Sequence, residues 1–247
     1  MVPLVRPGSE RSLSDAQLVF EDAWLSDVLG HRAVRLAPVP EAVAAAWSDG
    51  DDRLLATTTV PTADVAALGE LTAAGLAVVD CAVTLELAGP PPPAPAGVAV
   101  TVAAPERADE IADLAASELR TSRFHLDPRI ADADADRVKR AWARNCATGG
   151  RGIEVLAADV DGRLAGFLAV LADGDARVID LVAVDAGHRR RGVGRALVAA
   201  FAQRHGGSGP LRVGTQASNV ASLRFYSALG FRPVDTRYVL HGHREAS

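Results

Sequence analysis

Residues 178–197 read Val-Ile-Asp-Leu-Val-Ala-Val-Asp-Ala-Gly-His-Arg-Arg-Arg-Gly-Val-Gly-Arg-Ala-Leu, and no other stretch constrains the fold as strongly. A buried strand runs into a basic, glycine-containing turn and directly on into an amphipathic helix. At such a junction several backbone N–H groups point at one spot, the helix dipole adds partial positive charge, and glycine lets an anionic oxygen approach the main chain closely. The ligand that suits it is a pyrophosphate. No Lys-Ser/Thr pair follows the glycines as in a P-loop nucleotidase, and the junction has no Gly-x-Gly-x-x-Gly of a dinucleotide fold.

The elements around this junction alternate in type. After it come a helix over 193–205, a strand over 211–215, a helix over 219–229 and a closing strand over 232–241. Before it lie a strand over 98–102, a helix over 107–119 with Ile111, Leu114, Ala115 and Leu119 on one face, and a second helix over 131–147. Three β segments, 153–160, 164–171 and 176–185, are joined by Asp161-Gly162 and by Asp173-Gly174-Asp175. Those are hairpin signals, so antiparallel pairing is expected. The order βααβββαβαβ describes an α/β (α+β) chain whose mixed, mostly antiparallel sheet is flanked by helices.

Residues 88–97 read Ala-Gly-Pro-Pro-Pro-Pro-Ala-Pro-Ala-Gly. Proline lacks the amide donor and stiffens the chain toward polyproline II, so this stretch is expected to be a semi-rigid linker. It separates a domain over 1–87 from one over 98–247. The first carries a strand over 33–36, a helix over 41–47, a strand over 53–60, a helix over 63–74 and a long strand over 77–87.

That unit also repeats the end of the chain. Ala74-Gly75-Leu76-Ala77-Val78-Val79-Asp80 matches Leu229-Gly230-Phe231-Arg232-Pro233-Val234-Asp235 at a constant offset of 155 residues. At the same offset Asp64 meets Asn219, Leu68 meets Leu223 and Leu85 meets Leu240. The N-terminal unit therefore reads as a degenerate copy of the last β-α-β unit, although a glycine after a helix also arises by convergence. Leu71 stands where the later copy has Tyr226, and no glycine-rich basic turn precedes it. The first copy looks catalytically empty.

The net charge of the 247 residues, −5, is wrong for a protein whose main partner is a phosphate backbone, and no nucleic-acid partner is expected. Residues 1–14 lack a basic segment followed by an apolar core, and no apolar run approaches the roughly 20 residues that span a bilayer. A cytoplasmic location with no membrane partner is expected. Cys81 and Cys146 stand apart from any CxxC or His/Cys cluster, so the expectation is two buried thiols, no disulfide framework and no metal.

Arg189-x-x-Gly192-x-Gly194 after a Leu-x-Val strand, in this element order, resembles the acetyl-CoA pyrophosphate motif of the GNAT superfamily of N-acetyltransferases. The resemblance runs from about Val98 to Leu240, and the N-terminal unit then corresponds to a partial, half-GNAT copy. It implies acetyl-CoA as the cofactor. Val182, Ala183 and Val184 would offer backbone groups to the pantetheine arm. The amides of Arg189, Arg190, Arg191, Gly192, Val193 and Gly194, with Arg195 and Ala196 in the first helical turn, would hold the pyrophosphate. Asn219 and Ser222 begin the helix on the cofactor's other side.

Acyl transfer to an amine needs a neutral nucleophile, a polarised carbonyl and a proton donor for a thiolate whose pKa is about 8.5. Tyr226 lies two helical turns after Asn219 on the same face. By the resemblance it is the general acid, the alternative being a tyrosine of the core. Asp180 is the only carboxylate inside the apolar run and is the expected base, acting through water, or else a hydrogen-bonded structural aspartate. His125, on the loop between the first two helices of the catalytic domain, is the rival base.

Two further segments resemble the narrower WecD-type enzymes, which acetylate the 4-amino group of dTDP-4-amino-4,6-dideoxysugars. They are Ser122-Arg123-Phe124-His125-Leu126-Asp127 followed by Trp142 and Asn145, and Thr215-Gln216-x-x-Asn219-x-x-Ser222 leading to Tyr226. The resemblance implies that Ser122, Arg123, Phe124, His125, Asn145 and Gln216 shape the acceptor pocket, with an arginine suited to a nucleotide diphosphate. The implied partner is a small-molecule amine, in a protein that could work as a homodimer. Acylation of a different amine, such as an antibiotic precursor, with another acyl donor, is a second reading. A non-catalytic acyl-CoA-binding regulator is a third.

Overall fold

Short polar caps and glycines set the ends of the first elements. A computed structural model describes residues 18–50 and 53–245, so the N-terminal residues read above for a leader lie outside the described range. Strand β1 (Val19–Glu21) leads to helix α1 (Ala23–Leu29), whose first turn is capped by Asp22 accepting from Leu25 N and whose end is closed by Gly30 at φ 74°. Strand β2 (Arg32–Leu36) follows. Helix α2 (Pro40–Ser48) begins on a proline, which suits the first helical position because its missing N–H has no intrahelical partner there. Then come β3 (Leu54–Pro61), α3 (Val65–Ala73) and β4 (Ala77–Leu87). Residues 88–98, with their five prolines, form neither helix nor strand.

The remaining elements are β5 (Ala99–Val102), α4 (Ala108–Glu118), the one-turn α5 (Arg123–Leu126), α6 (Asp132–Ala147), β6 (Glu154–Val160), β7 (Arg163–Asp173) and β8 (Ala176–Val184). They are followed by α7 (Val193–His205), β9 (Leu211–Gln216), α8 (Val220–Ala228) and β10 (Phe231–Arg244). Asp161 and Gly162 both take positive φ, 53° and 74°, the mirror-image turn whose twist matches two antiparallel strands, and Val160 pairs with Arg163 across it. The hairpin from β7 to β8 closes on Gly174 at φ 59°, with only this first central residue at positive φ.

The chain divides into two compact units, one of residues 83–122 and 132–235, the other built from the described parts of 2–82, 123–131 and 236–247. The division falls within β4, so each of β4 and β10 contributes residues to both units. In the first unit β5, β6, β7 and β8 pair antiparallel in sequence order and β9 joins β8 in parallel. Helices flank this sheet: α4 and α6 pack on each other and against its strands, and α7 packs against β6, β7 and β8. In the second unit β1 pairs antiparallel with β2, β2 parallel with β3, and β3 antiparallel with the 237–244 part of β10. No helix among the described residues is long and apolar enough to cross a membrane.

Helix α7 holds the first unit together. It buries Val193, Leu197, Val198, Phe201 and Ala202 in a core shared with Leu168, Ile179, Val213 and Phe231. Phe201 has no exposed surface. Truncating a fully buried phenylalanine removes its transfer free energy and leaves a cavity that close-packed neighbours fill only in part. Phe201→Ala is therefore expected to cost about 3–5 kcal/mol, read as a lower urea midpoint with the m-value unchanged.

Candidate functional site

The site begins where one β ladder stops. Strands β8 and β9 pair through Arg177–Leu211, Val178–Arg212 and Ile179–Val213, yet each strand runs on beyond the last of these pairs. From residue 180 onward β8 keeps its partner β7 on one edge only. The register between β7 and β8 also slips here, since Ala169 faces Leu181 while Val170 faces Ile179, leaving Asp180 as the extra residue of a β-bulge. A bulge raises the local twist and turns the strand away from its neighbour. The backbone of Val182, Ala183 and Val184, the stretch expected to meet a pantetheine arm, thus has no β9 partner beside it, and the two strands part to leave an opening.

Asp180 is fixed by everything around it. Its Oδ2 accepts from Trp142 Nε1 at 2.8 Å and from Arg151 Nε at 2.7 Å, and its Oδ1 accepts from Arg151 Nη2 at 3.1 Å. Cys146 Sγ lies 3.8 Å from Oδ2. Burial by itself raises a carboxyl pKa, but the guanidinium of Arg151 and the indole N–H outweigh it and hold Asp180 below its ordinary value. The same burial pushes the Cys146 thiol up to about 12. Trp142 lies under two cations, Lys139 Nζ and Arg151 Cζ, each 4.8 Å from the ring centroid.

The opening leads to the basic turn. Arg190 at φ 64° and Gly192 at φ 87° bend the chain so that Gly192 becomes the N-cap of α7, and no side chain caps that helix. Its first amides are left for a ligand, next to the exposed Arg189, Arg190, Arg191 and Arg195. Ala196 N already bonds to Gly192 O at 2.9 Å and so belongs to the helix ladder. Gly194 is needed for a different reason: a Cβ there would lie 3.3 Å from Phe225 Cζ, so glycine lets α7 approach α8. Two contacts were not legible in the sequence. Arg189 pairs with Glu118 of α4, and Arg195 Nε donates to Pro93 O at 3.2 Å, while a Cβ on Gly192 would meet the Pro95 ring at 3.3 Å. The proline-rich segment lies against the anion-binding turn.

Across the opening stands α8. Asn219 caps it, with Oδ1 accepting from Ser222 N at 3.1 Å and Nδ2 donating to Thr121 Oγ1 at 3.4 Å. Tyr226 is buried between the edges of Phe225 and Phe231, and desolvation raises its phenol above the ordinary value. The phenol therefore carries its proton across the physiological range. Gln216 ends β9, and the buried Ser122 closes its segment of this unit. Asn145, on the last turn of α6, covers Gly150, whose amide bonds to Asn145 O at 2.9 Å. Arg123, Phe124 and His125 form α5 in the other unit. There Phe124 is buried and Arg123 Cζ lies 4.6 Å from its ring centroid. Burial lowers the Arg123 guanidinium to about 10 despite Asp22 and Asp80 nearby.

A mixed sheet that opens at a bulge, beside an uncapped helix N-terminus reached through a basic glycine turn, defines the GNAT acetyltransferase fold. Residues 111–231 match the model of the acetyltransferase (GNAT) family. The chain is 28% identical over 142 residues to a spore coat polysaccharide biosynthesis protein, SpsD, of Bacillus subtilis, covering 56% of this chain and 48% of that protein. It is 34% identical over 152 residues to a mycothiol acetyltransferase of Clavibacter sepedonicus, covering 58% and 46%. It spans about half the length of these curated relatives. Among solved structures, a tandem GNAT protein from the clavulanic acid biosynthesis pathway superposes with a TM-score of 0.57 at 19% identity, over 87% of this chain and 76% of that one.

The ion pair at the bulge gives a direct test. In Arg151→Met the Asp180 carboxylate stays buried without its cation, and breaking a buried pair costs about 3–5 kcal/mol. Because the folded carboxyl is held below its unfolded value, the wild-type pair contributes stability at pH well above about 4 and loses it as pH falls through the lowered folded value. Denaturant melts should show a large deficit for Arg151→Met at pH 7 that shrinks with acidification.

Proposed function

We propose that this chain is an acetyl-CoA-dependent N-acetyltransferase that acylates a primary amine by direct transfer. The observation that carries the reading is the separation of β8 from β9 beside the uncapped start of α7, since together they offer unpaired strand backbone to an amide-bearing arm and free helix amides to a diphosphate. Acetyl-CoA supplies the activated thioester carbonyl. The residues that would hold it are Val182 to Val184 along the strand, Arg189 to Arg195 at the turn, and Asn219 and Ser222 at the start of α8, while Ala196, whose amide is spent in the helix, drops out of the set.

Tyr226 is the proposed general acid. It carries its proton at neutral pH and so has one to share with the departing thiolate, although burial makes the phenol a weaker acid than a thiol of ordinary pKa about 8.5. Asp180 suits a proton acceptor poorly, because its lone pairs are occupied by Trp142 and Arg151 and its basicity is reduced. We assign it instead to positioning, as the anion that pins α6 and Arg151 to the bulge. His125 remains the side-chain candidate for the base.

A sugar amine is the favoured acceptor, on two supports: the segments 122–127 and 215–226 that resemble WecD-type enzymes, and the polysaccharide pathway named for the Bacillus subtilis relative. The N-terminal unit we read as a partial copy without a site of its own. Asp64 caps α3 by accepting from Ala67 N just as Asn219 caps α8 by accepting from Ser222 N, and Gly75 and Gly230 take φ of 101° and 91° after the two helices. Leu71 and Tyr226 both point into a core at the matching position.

Two measurements test this reading. Tyr226→Phe should keep acetyl-CoA affinity and lower kcat by about 10² or more on an amino-sugar nucleotide; an unchanged kcat removes the phenol from the chemistry. Gly192→Glu puts a charged side chain where the diphosphate is expected, at a φ that side chains rarely adopt, so calorimetry should find acetyl-CoA affinity reduced at least about 10²-fold. Undiminished binding by that variant would mean that the turn does not hold the cofactor.

A further inference from the structure

Two histidines of one strand and an aspartate from a remote segment meet inside the second unit. His241 and His243 lie two residues apart on β10, so the alternation of the strand sends both side chains to one face. The segment 123–131 brings Asp127 to that face, with Oδ2 at 2.7 Å from His241 Nδ1 and 2.7 Å from His243 Nε2. One atom from each residue lies within 4.8 Å of the other two. All three side chains are buried, at 3% exposure for Asp127, 0% for His241 and 6% for His243.

This cluster differs from an ordinary carboxylate–imidazole pair. A single oxygen of Asp127 serves both rings, while its other oxygen accepts from Arg129 N at 3.0 Å. Those three groups are the hydrogen-bond partners of the carboxylate, and none of them needs to be a cation. Buried anions are ordinarily matched by a cation or a metal ion. Arg123, the cation whose charge His241 feels, lies against the Phe124 ring, with Asp22 and Asp80 supporting its charge and a second cation, Arg35, opposing it. On the far side of the His241 ring, Nε2 is buried without a hydrogen-bond partner, so no second bond fixes the proton to either nitrogen. In the metal-free cluster the imidazole proton sits on Nδ1, toward Asp127; an ion would displace it there, and no partner at Nε2 holds the ring against that exchange.

We propose that Asp127, His241 and His243 bind one divalent transition-metal ion of the zinc class, which clamps the 123–131 segment onto the end of β10. Two imidazole nitrogens and one carboxylate oxygen suit zinc or ferrous ion, whereas magnesium and calcium take oxygen ligands. Ligand bonds of about 2.0–2.2 Å spread such donor atoms to roughly 3.3 Å, so replacing the two shared protons by an ion opens the present contacts by less than about 1 Å. No metal is expected from the sequence, in which neither cysteine stands in a CxxC or a His/Cys cluster. A His-x-His pair on a strand becomes informative only once the fold supplies the carboxylate.

The test uses the full chain, stripped with chelator and titrated with zinc by calorimetry, then with cobalt followed by visible absorption. One zinc per chain, d–d bands from bound cobalt and a melting temperature raised by about 5 °C or more at saturating zinc are expected. His243→Gln keeps an N–H donor for Asp127 but removes a strong ligand, so it preserves a merely hydrogen-bonded cluster and should lose stoichiometric zinc while its metal-free melt stays near that of the wild type. Absence of stoichiometric zinc in the wild type overturns the proposal, as does undiminished zinc binding by His243→Gln. Neither readout depends on acetyl transfer.

Discussion

The pairing of β8 with β9 lasts for three residues on each strand and then gives way, and the site follows from that separation. A strand that loses a neighbour exposes a row of backbone donors and acceptors, normally a liability that proteins cover. Here the loss is local and imposed by the bulge at Asp180. The bulge in turn is held by a buried carboxylate bound to one guanidinium and one indole. Charge deep in the protein therefore shapes an opening whose own walls are main chain.

The electrostatics of the turn follow a similar division of labour. Four arginines stand on or near it, but two are already engaged: Arg189 with Glu118, and Arg195 with the carbonyl of Pro93. Exposed ion pairs contribute little to stability. They do set side chains in place before a ligand arrives, and less ordering is then left for binding to accomplish. The helix amides themselves cannot be neutralised by a competing side chain, since Gly192 as N-cap offers none.

Where the chain carries strong local signals, the sequence was legible. The hairpins at Asp161-Gly162 and Gly174 rest on backbone that few residues adopt, and the turn before α7 shows its basic glycine pattern in full. The repeat across 155 residues extends to the capping bonds of Asp64 and Asn219. β1, α1 and α5 escaped notice because three, seven and four residues are too few to show a period. The apolar run around Asp180 was read as a buried strand with one odd carboxylate, and so it is. That the carboxylate belongs to Arg151 and Trp142 is a matter of tertiary packing, and nothing in the spacing of those residues announces it. The same holds for Asp127 with His241 and His243, whose partners lie more than a hundred positions apart.

The proline-rich segment, though without helix or strand, is more than a tether. Pro93 and Pro95 rest on the first turn of α7, at the mouth through which a charged cofactor would pass. Loops of this composition are usually interchangeable, tolerating insertions at small entropic cost. This one has a fixed register with the helix beside it. Grafting in a longer spacer, or splitting the protein at these residues to obtain separate halves, would alter the doorway as well as the connection.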